Sequence, residues 1–120
     1  SEPALELLGW LIDELLAMVE RHVPLLAAIQ DAAVGPRRTE IFEQPFYRWL
    51  HEQLAALLGR ALAAGEAGDL QVDVVADAIQ AATAPPLFVF QKEQRGLSRE
   101  QIGAALRRLF VDGLRAAPGA

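Results

Sequence analysis

Apolar residues recur at spacings of three and four along most of this chain, and nowhere do they alternate with polar ones as a half-buried strand requires. That pattern confines the fold to helices packed on helices. Leu5, Leu8, Trp10, Leu11, Ile12, Leu15, Leu16, Met18 and Val19 make a first helix that is apolar nearly all round, after Pro3 at a first-turn position. Its polar strip is narrow, with Glu6, Asp13 and Glu20 spaced seven apart. Such a helix belongs at the centre of its domain. After a break near His22-Val23, Pro24 restarts the chain through Leu25, Leu26, Ala28, Ile29 and Ala32, with His22 as a local cap.

The later helices are marked by their ends. Gly35-Pro36-Arg37-Arg38-Thr39 is a basic loop. A third helix follows from about Gln44 to Ala64, with Phe46, Trp49, Leu50, Gln53, Leu54, Leu57, Leu58, Ala61 and Leu62 at helical spacing and Gly65 placed as its C′ glycine. A fourth runs from Gln71–Asp73 toward Gln94 and is interrupted by Pro85-Pro86. Proline has no N–H, so the carbonyls of Ala81 and Ala82 lose their partners, and a kink or a restart at Pro85 or Pro86 is predicted. The break either repacks Leu87 and Phe88 or frees carbonyls for water or a ligand's polar group. Gly96 closes this helix. Ser98 and Gln101 then form a capping box, with Leu97 and Ile102 as a hydrophobic staple, and so open a fifth.

That last helix carries a stripe of Ile102, Leu106, Leu109, Gly113 and Leu114, widened by Phe110. Together with Leu87, Val89 and Phe90 it is more apolar surface than one small domain hides. The prediction is an all-α domain of five helices spanning residues 1–120, whose last two helices form a four-helix dimer interface across a two-fold axis.

Composition excludes several functions. With 52% apolar and 22% charged residues the chain is not intrinsically disordered. The absence of Cys removes disulfides, thiolate catalysis and Cys-based metal centres. Neither His has the spacing of a zinc-protease helix or a Glu-x-x-His motif, and no metal or cofactor is expected. The two serines are Ser1 and the cap Ser98, which leaves no nucleophile, so the chain is not expected to be an enzyme. A net charge of −5 argues against a nucleic-acid surface. Glu6, Asp13, Glu14 and Glu20 interrupt the best candidate for a membrane span, and no secretory signal is visible, so a cytoplasmic protein without a membrane partner is expected. Starting at Ser1 rather than Met, the chain reads as a piece of a longer protein or as one whose start carries a cloning scar. Arg supplies ten of the eleven Lys+Arg residues and Asn is absent, which reflects GC-rich coding rather than function.

The segment Leu54 to Leu114 resembles the C-terminal half of the tetracycline-repressor (TetR) family of transcriptional regulators. The carrying residues are Gly59-Arg60-Ala61-Leu62-Ala63-Ala64-Gly65-Glu66, the Asp69-Leu70 link, Val74-Val75-Ala76-Asp77-Ala78-Ile79, and Leu97-Ser98-Arg99-Glu100-Gln101-Ile102. His22-Val23-Pro24-Leu25-Leu26 is similar to the family's preceding helix pair. The resemblance implies an effector-binding and dimerisation domain, with the DNA-binding helix-turn-helix absent from this chain. It implies a homodimer, a small-molecule effector, and contact with DNA only through the missing domain. The paired prolines depart from the family's uninterrupted helix.

Candidate binding residues cluster around Phe42, Phe46, Tyr47, Trp49, Leu50, His51 and Gln53. Phe46, Trp49, Leu50 and Gln53 share one helix face, while Tyr47 and His51 form the next stripe. They are either core, or the wall of an apolar pocket in which Gln53, Tyr47 or His51 orients the ligand. In the second reading Trp10 and Met18 supply the facing wall, and Gln80 and Thr83 add polar groups from the fourth helix. Thr83 equally suits a bond to its own backbone one turn back. Arg107-Arg108 reads as a solvated face. Two functions follow: a sensor domain binding a mostly apolar small molecule, or a helical interaction module with no such site.

Overall fold

A computed structural model describes residues 2–31 and 43–117. Among these are five α-helices and no strand: α1 (Ala4–Asp31), α2 (Pro45–Ala63), α3 (Val72–Ala82), α4 (Pro85–Glu93) and α5 (Arg99–Phe110), followed by a 3-10 turn, Asp112–Leu114. The basic loop 35–39 and Phe42 lie outside the described residues. The all-α expectation holds, and both predicted breaks are present. The predicted first two helices meet within α1 at a kink, where His22 leaves helical geometry (φ −122, ψ 22). Pro24 inside it lacks the N–H that would bond the Glu20 carbonyl, so the chain kinks there without stopping. The predicted fourth helix restarts at Pro85, as expected from the paired prolines, and so forms α3 and α4, bent by 46°.

Helix α1 is central and packs against α2, α4 and α5. Its buried line of Leu5, Leu8, Ile12, Leu15, Leu16 and Val19 meets Leu50, Leu54 and Leu58 of α2 in one core, joined by Ile79 of α3, Phe88 of α4 and Ile102 of α5. The narrow polar strip of α1 faces two other helices as well as water. Asp13 accepts a hydrogen bond from Arg107 of α5, and Glu20 pairs with Lys92 of α4 at 2.6 Å and Arg99 of α5 at 3.3 Å. Arg107 is therefore tied inside the chain, unlike its exposed neighbour Arg108.

Local chemistry fixes the helix ends. Gly65 stands at φ 74; its N–H bonds the Leu62 carbonyl at 3.1 Å, and that of Glu66 bonds Ala61 at 2.9 Å, the Schellman pattern. Pro85 opens α4 after the extended Ala84. The capping box of α5 is complete, with Gln101 N–H on Ser98 Oγ at 3.1 Å and Ser98 N–H on Gln101 Oε1 at 2.8 Å. Helix α5 ends at Phe110, because Val111 leaves helical geometry (φ −116, ψ −67). The predicted stripe is therefore cut before Gly113 and Leu114. Those two turn back toward α2, where the Leu114 carbonyl accepts from the Gly68 N–H at 2.9 Å and Ala116 N–H bonds the Glu66 carbonyl at 2.9 Å.

Glu66 closes the end of the bundle. Its two carboxylate oxygens accept from Ala4 N–H and Leu5 N–H, each at 3.0 Å, capping α1 from 61 residues away in sequence. These bonds, that to Leu5 first, hold its carboxyl below the ordinary value of 4.5. A depressed carboxyl contributes stability above its ordinary value and loses it as pH falls through the folded one. Glu66→Gln is accordingly expected to lower the melting temperature at pH 7, with the gap to the parent narrowing at about pH 3.5. A gap that is the same at both pH values would refute the charged cap.

Candidate functional site

Six of the predicted ligand residues meet around one cavity. Met18 of α1, Phe46, Tyr47 and Leu50 of α2, and Gln80 and Thr83 of the α3 end line it, with Leu15, Val19, Ala84 and Pro85. Three elements bring them together: the core line of α1, the first turns of α2, and the break where Pro85 cuts α3 from α4. The cavity measures about 30 Å³, room for a water-sized molecule and little more.

Its polar groups are already engaged. Gln80 Nε2 donates to the Tyr47 carbonyl at 3.0 Å, tying α3 to α2. Thr83 Oγ donates back to the Ile79 carbonyl at 2.9 Å, the local bond that its place at a helix end allows. Phe46 meets Tyr47 edge-on at 5.5 Å and stacks on Trp49 at 6.3 Å, so the aromatic cluster is continuous from the cavity to the surface.

The other four predicted ligand residues do not reach the cavity. Trp10 is 61% exposed: it lies two residues from both Leu8 and Ile12, about 200° around the helix from each, and so points away from the core. Trp49 is 53% exposed and Gln53 is exposed, one residue off the buried Leu50–Leu54 line. His51 is half-buried on the side facing α3, with Nε2 2.9 Å from Asp73 Oδ1 and Nδ1 3.1 Å from Asp77 Oδ1. Leu15 and Val19, which the sequence reads as core, also line the cavity, as do Ala84 and Pro85 at the break between α3 and α4.

The predicted dimer residues divide in the same way. Ile102 is buried in the chain's own core, and Leu106 and Phe110 pack partly against it. Val89 is half-buried beside a shallow groove between α1 and α4, of about 350 Å³, lined also by Glu20, Val23, Phe88, Lys92 and Glu93. Lys92, bonded to Glu20, keeps that carboxyl below its ordinary value and lies 5.5 Å from the Phe88 ring centre. Leu87, Phe90 and Leu109 are exposed large apolar residues, and Gly113 is exposed.

No helix among the described residues is by itself long and apolar enough to cross a membrane. Among the same residues, no group of three or more His, Asp or Glu side chains is placed to hold a metal ion. No family model, curated protein or solved structure matches the chain.

Proposed function

We propose that this chain is an effector-sensing and dimerisation domain of a TetR-like transcriptional regulator, with its small-molecule site between α1, α2 and α3. The observation that carries this reading is the convergence of Met18, Phe46, Tyr47, Leu50, Gln80 and Thr83 on one cavity. The wall is mostly apolar with a few polar groups, the composition that suits an apolar small molecule. A typical ligand site encloses some hundreds of Å³ (roughly 300 or more), so this reading requires the cavity to widen when the effector binds. An effector that binds only a wider form shifts the population toward it. The break at Ala84-Pro85 and the first turn of α2 border the cavity, and in this reading they move apart to admit the effector. Leu87, Phe90 and Leu109 supply apolar surface for a homodimer, and DNA is reached only through a further domain.

Thermal melts against a panel of apolar compounds, with native mass spectrometry, test this. At least one compound is expected to raise the melting temperature and to appear bound to a dimer, and Leu50→Trp, which fills the cavity, should abolish both. No stabilising compound, or one whose effect survives Leu50→Trp, would overturn the site.

The water-sized cavity and the engaged Gln80 and Thr83 favour a second reading, a helical interaction module without a small-molecule site. That reading expects a dimer and no ligand response. A monomer in analytical ultracentrifugation at micromolar concentration would remove the first reading, and would leave the second only as a module for a different protein partner.

A further inference from the structure

We propose that the site between α1, α2 and α3 takes a neutral ligand with a hydrogen-bond donor, an alcohol or a phenol on an apolar body, and excludes carboxylates and phosphates. The inference rests on the effector reading of that cavity and adds the chemical class of what enters it. None of the described residues that line the cavity is charged. An anion brought there gives up its water and meets no cation in return, whereas a neutral group gives up far less. Met18, Phe46 and Leu50 offer the apolar body its contacts.

The direction of the hydrogen bonds comes from the break between α3 and α4. Ala84 and Pro85 line the cavity where α4 begins. A helix start ordinarily turns its first free amides toward an anion. Here the first two helical positions are Pro85 and Pro86, which carry no N–H. The amides just before them are spent: Thr83 N–H bonds the Ile79 carbonyl at 3.1 Å, and Ala84 N–H bonds the Ala81 carbonyl at 3.3 Å. The buried Thr83 hydroxyl is turned the same way, toward the Ile79 carbonyl at 2.9 Å and the Gln80 carbonyl at 3.3 Å. A hydroxyl has one proton and two lone pairs, so Thr83 Oγ meets a ligand as an acceptor. Gln80 is oriented by the Tyr47 carbonyl, to which only its amide nitrogen can donate, and this leaves Oε1 as a second acceptor beside one N–H. The paired prolines therefore cut one helix from the next and also strip this end of the cavity of backbone donors. An O–H or N–H fits such an end; a carboxylate, which only accepts, does not.

Three probes built on one apolar body separate the head groups: 4-ethylphenol, 1-ethyl-4-fluorobenzene and 4-ethylbenzoate. At neutral pH the phenol keeps its proton, since its ordinary pKa is about 10, and the benzoate is ionised. Titration calorimetry on the whole chain is expected to show the phenol binding at least about fivefold more tightly than its fluorine analogue, the margin of one neutral hydrogen bond. The benzoate should not bind. Thr83→Val keeps the side-chain shape and removes the acceptor, so it should bring the phenol down to the affinity of the fluorine analogue, while Thr83→Ser keeps the preference. Equal binding of phenol and fluorine analogue by the parent, a preference that survives Thr83→Val, or benzoate binding as tight as the phenol's would overturn the donor rule and leave the site standing. Binding of none of the three, or binding that persists in Leu50→Trp, would remove the effector site itself and the rule with it.

Discussion

Replacing Phe88 with alanine is expected to lower the unfolding free energy by about 3–5 kcal/mol, while Phe90→Ala, measured at dilutions where the chain is monomeric, costs less than about 1 kcal/mol. The two residues are neighbours but one on a nine-residue helix, and they face opposite environments: Phe88 is 2% exposed and Phe90 45%. A helix as short as α4 is not stable alone, and its N-cap, Ala84, offers no side-chain hydrogen bond. What fastens it is burial of Phe88 in the core beside α1, assisted by the exposed Lys92–Glu20 pair, which adds little. Phe90 instead lies under Arg95, 5.0 Å from its ring centre, at the surface. Urea denaturation of both variants measures the contrast. Equal costs would mean that Phe90 is covered in solution, as a dimer through α4 requires, and the concentration dependence of the midpoint would then show it.

The same pair marks what could be seen in the sequence and what could not. Helix ends were legible because they rest on residue-specific chemistry: the Ser98-Gln101 box, the left-handed Gly65 and the restart at Pro85 all stand where the sequence placed them. Facing was legible only where the apolar pattern is one-sided, as along Leu50, Leu54, Leu58 and Ala61 of α2. On α1, apolar nearly all round, the pattern could not say that Trp10 points outward. On α4, four apolar residues in succession carry no period of their own; setting Leu87, Val89 and Phe90 apart from Phe88 as an outward face agrees with the exposure of Leu87 and Phe90, while Val89 is half-buried. Periodicity resolves a face only when polar residues mark the other one.

Contacts between distant segments were invisible for a different reason. Glu66 capping Ala4 and Leu5, Arg107 reaching Asp13, and His51 between Asp73 and Asp77 each join residues that no local pattern relates. For the candidate site the outcome was mixed on the same grounds. Met18, Phe46, Tyr47, Leu50, Gln80 and Thr83 converge because they flank the buried lines of their helices, whereas Trp10, Trp49 and Gln53 stand on the far side of theirs. Residue type suggested a binding role for all of them; only position around the helix separates the two groups.

Gly103→Leu is expected to destabilise the chain by about 1–3 kcal/mol, although leucine is the better helix former by nearly 1 kcal/mol. The reason is the closeness of α1 and α5. A Cβ on the buried Gly103 would stand 2.6 Å from Asp13 Oδ1, 3.3 Å from Arg107 Nη1 and 3.6 Å from Leu16 Cδ1. The Asp13 carboxylate could swing away from a single methyl, but doing so gives up its bond to Arg107, and a leucine would also press on Leu16 in the core. Gly9 of α1 lies along the same contact, where an added Cβ would stand 3.3 Å from Arg107 Cδ and 3.4 Å from Val111 Cγ2. Gly59 of α2 provides the contrast: nothing lies within 4 Å of a Cβ added there, so Gly59→Ala should gain up to about 1 kcal/mol from helix propensity alone. Opposite signs from two helical glycines, measured by urea denaturation, separate a packing requirement from a propensity cost. If Gly103→Leu proved as stable as the parent, α5 could not be seated this closely on α1. Burial of Ile102 and the Asp13–Arg107 pair, both of which depend on that seat, would then have to be given up with it.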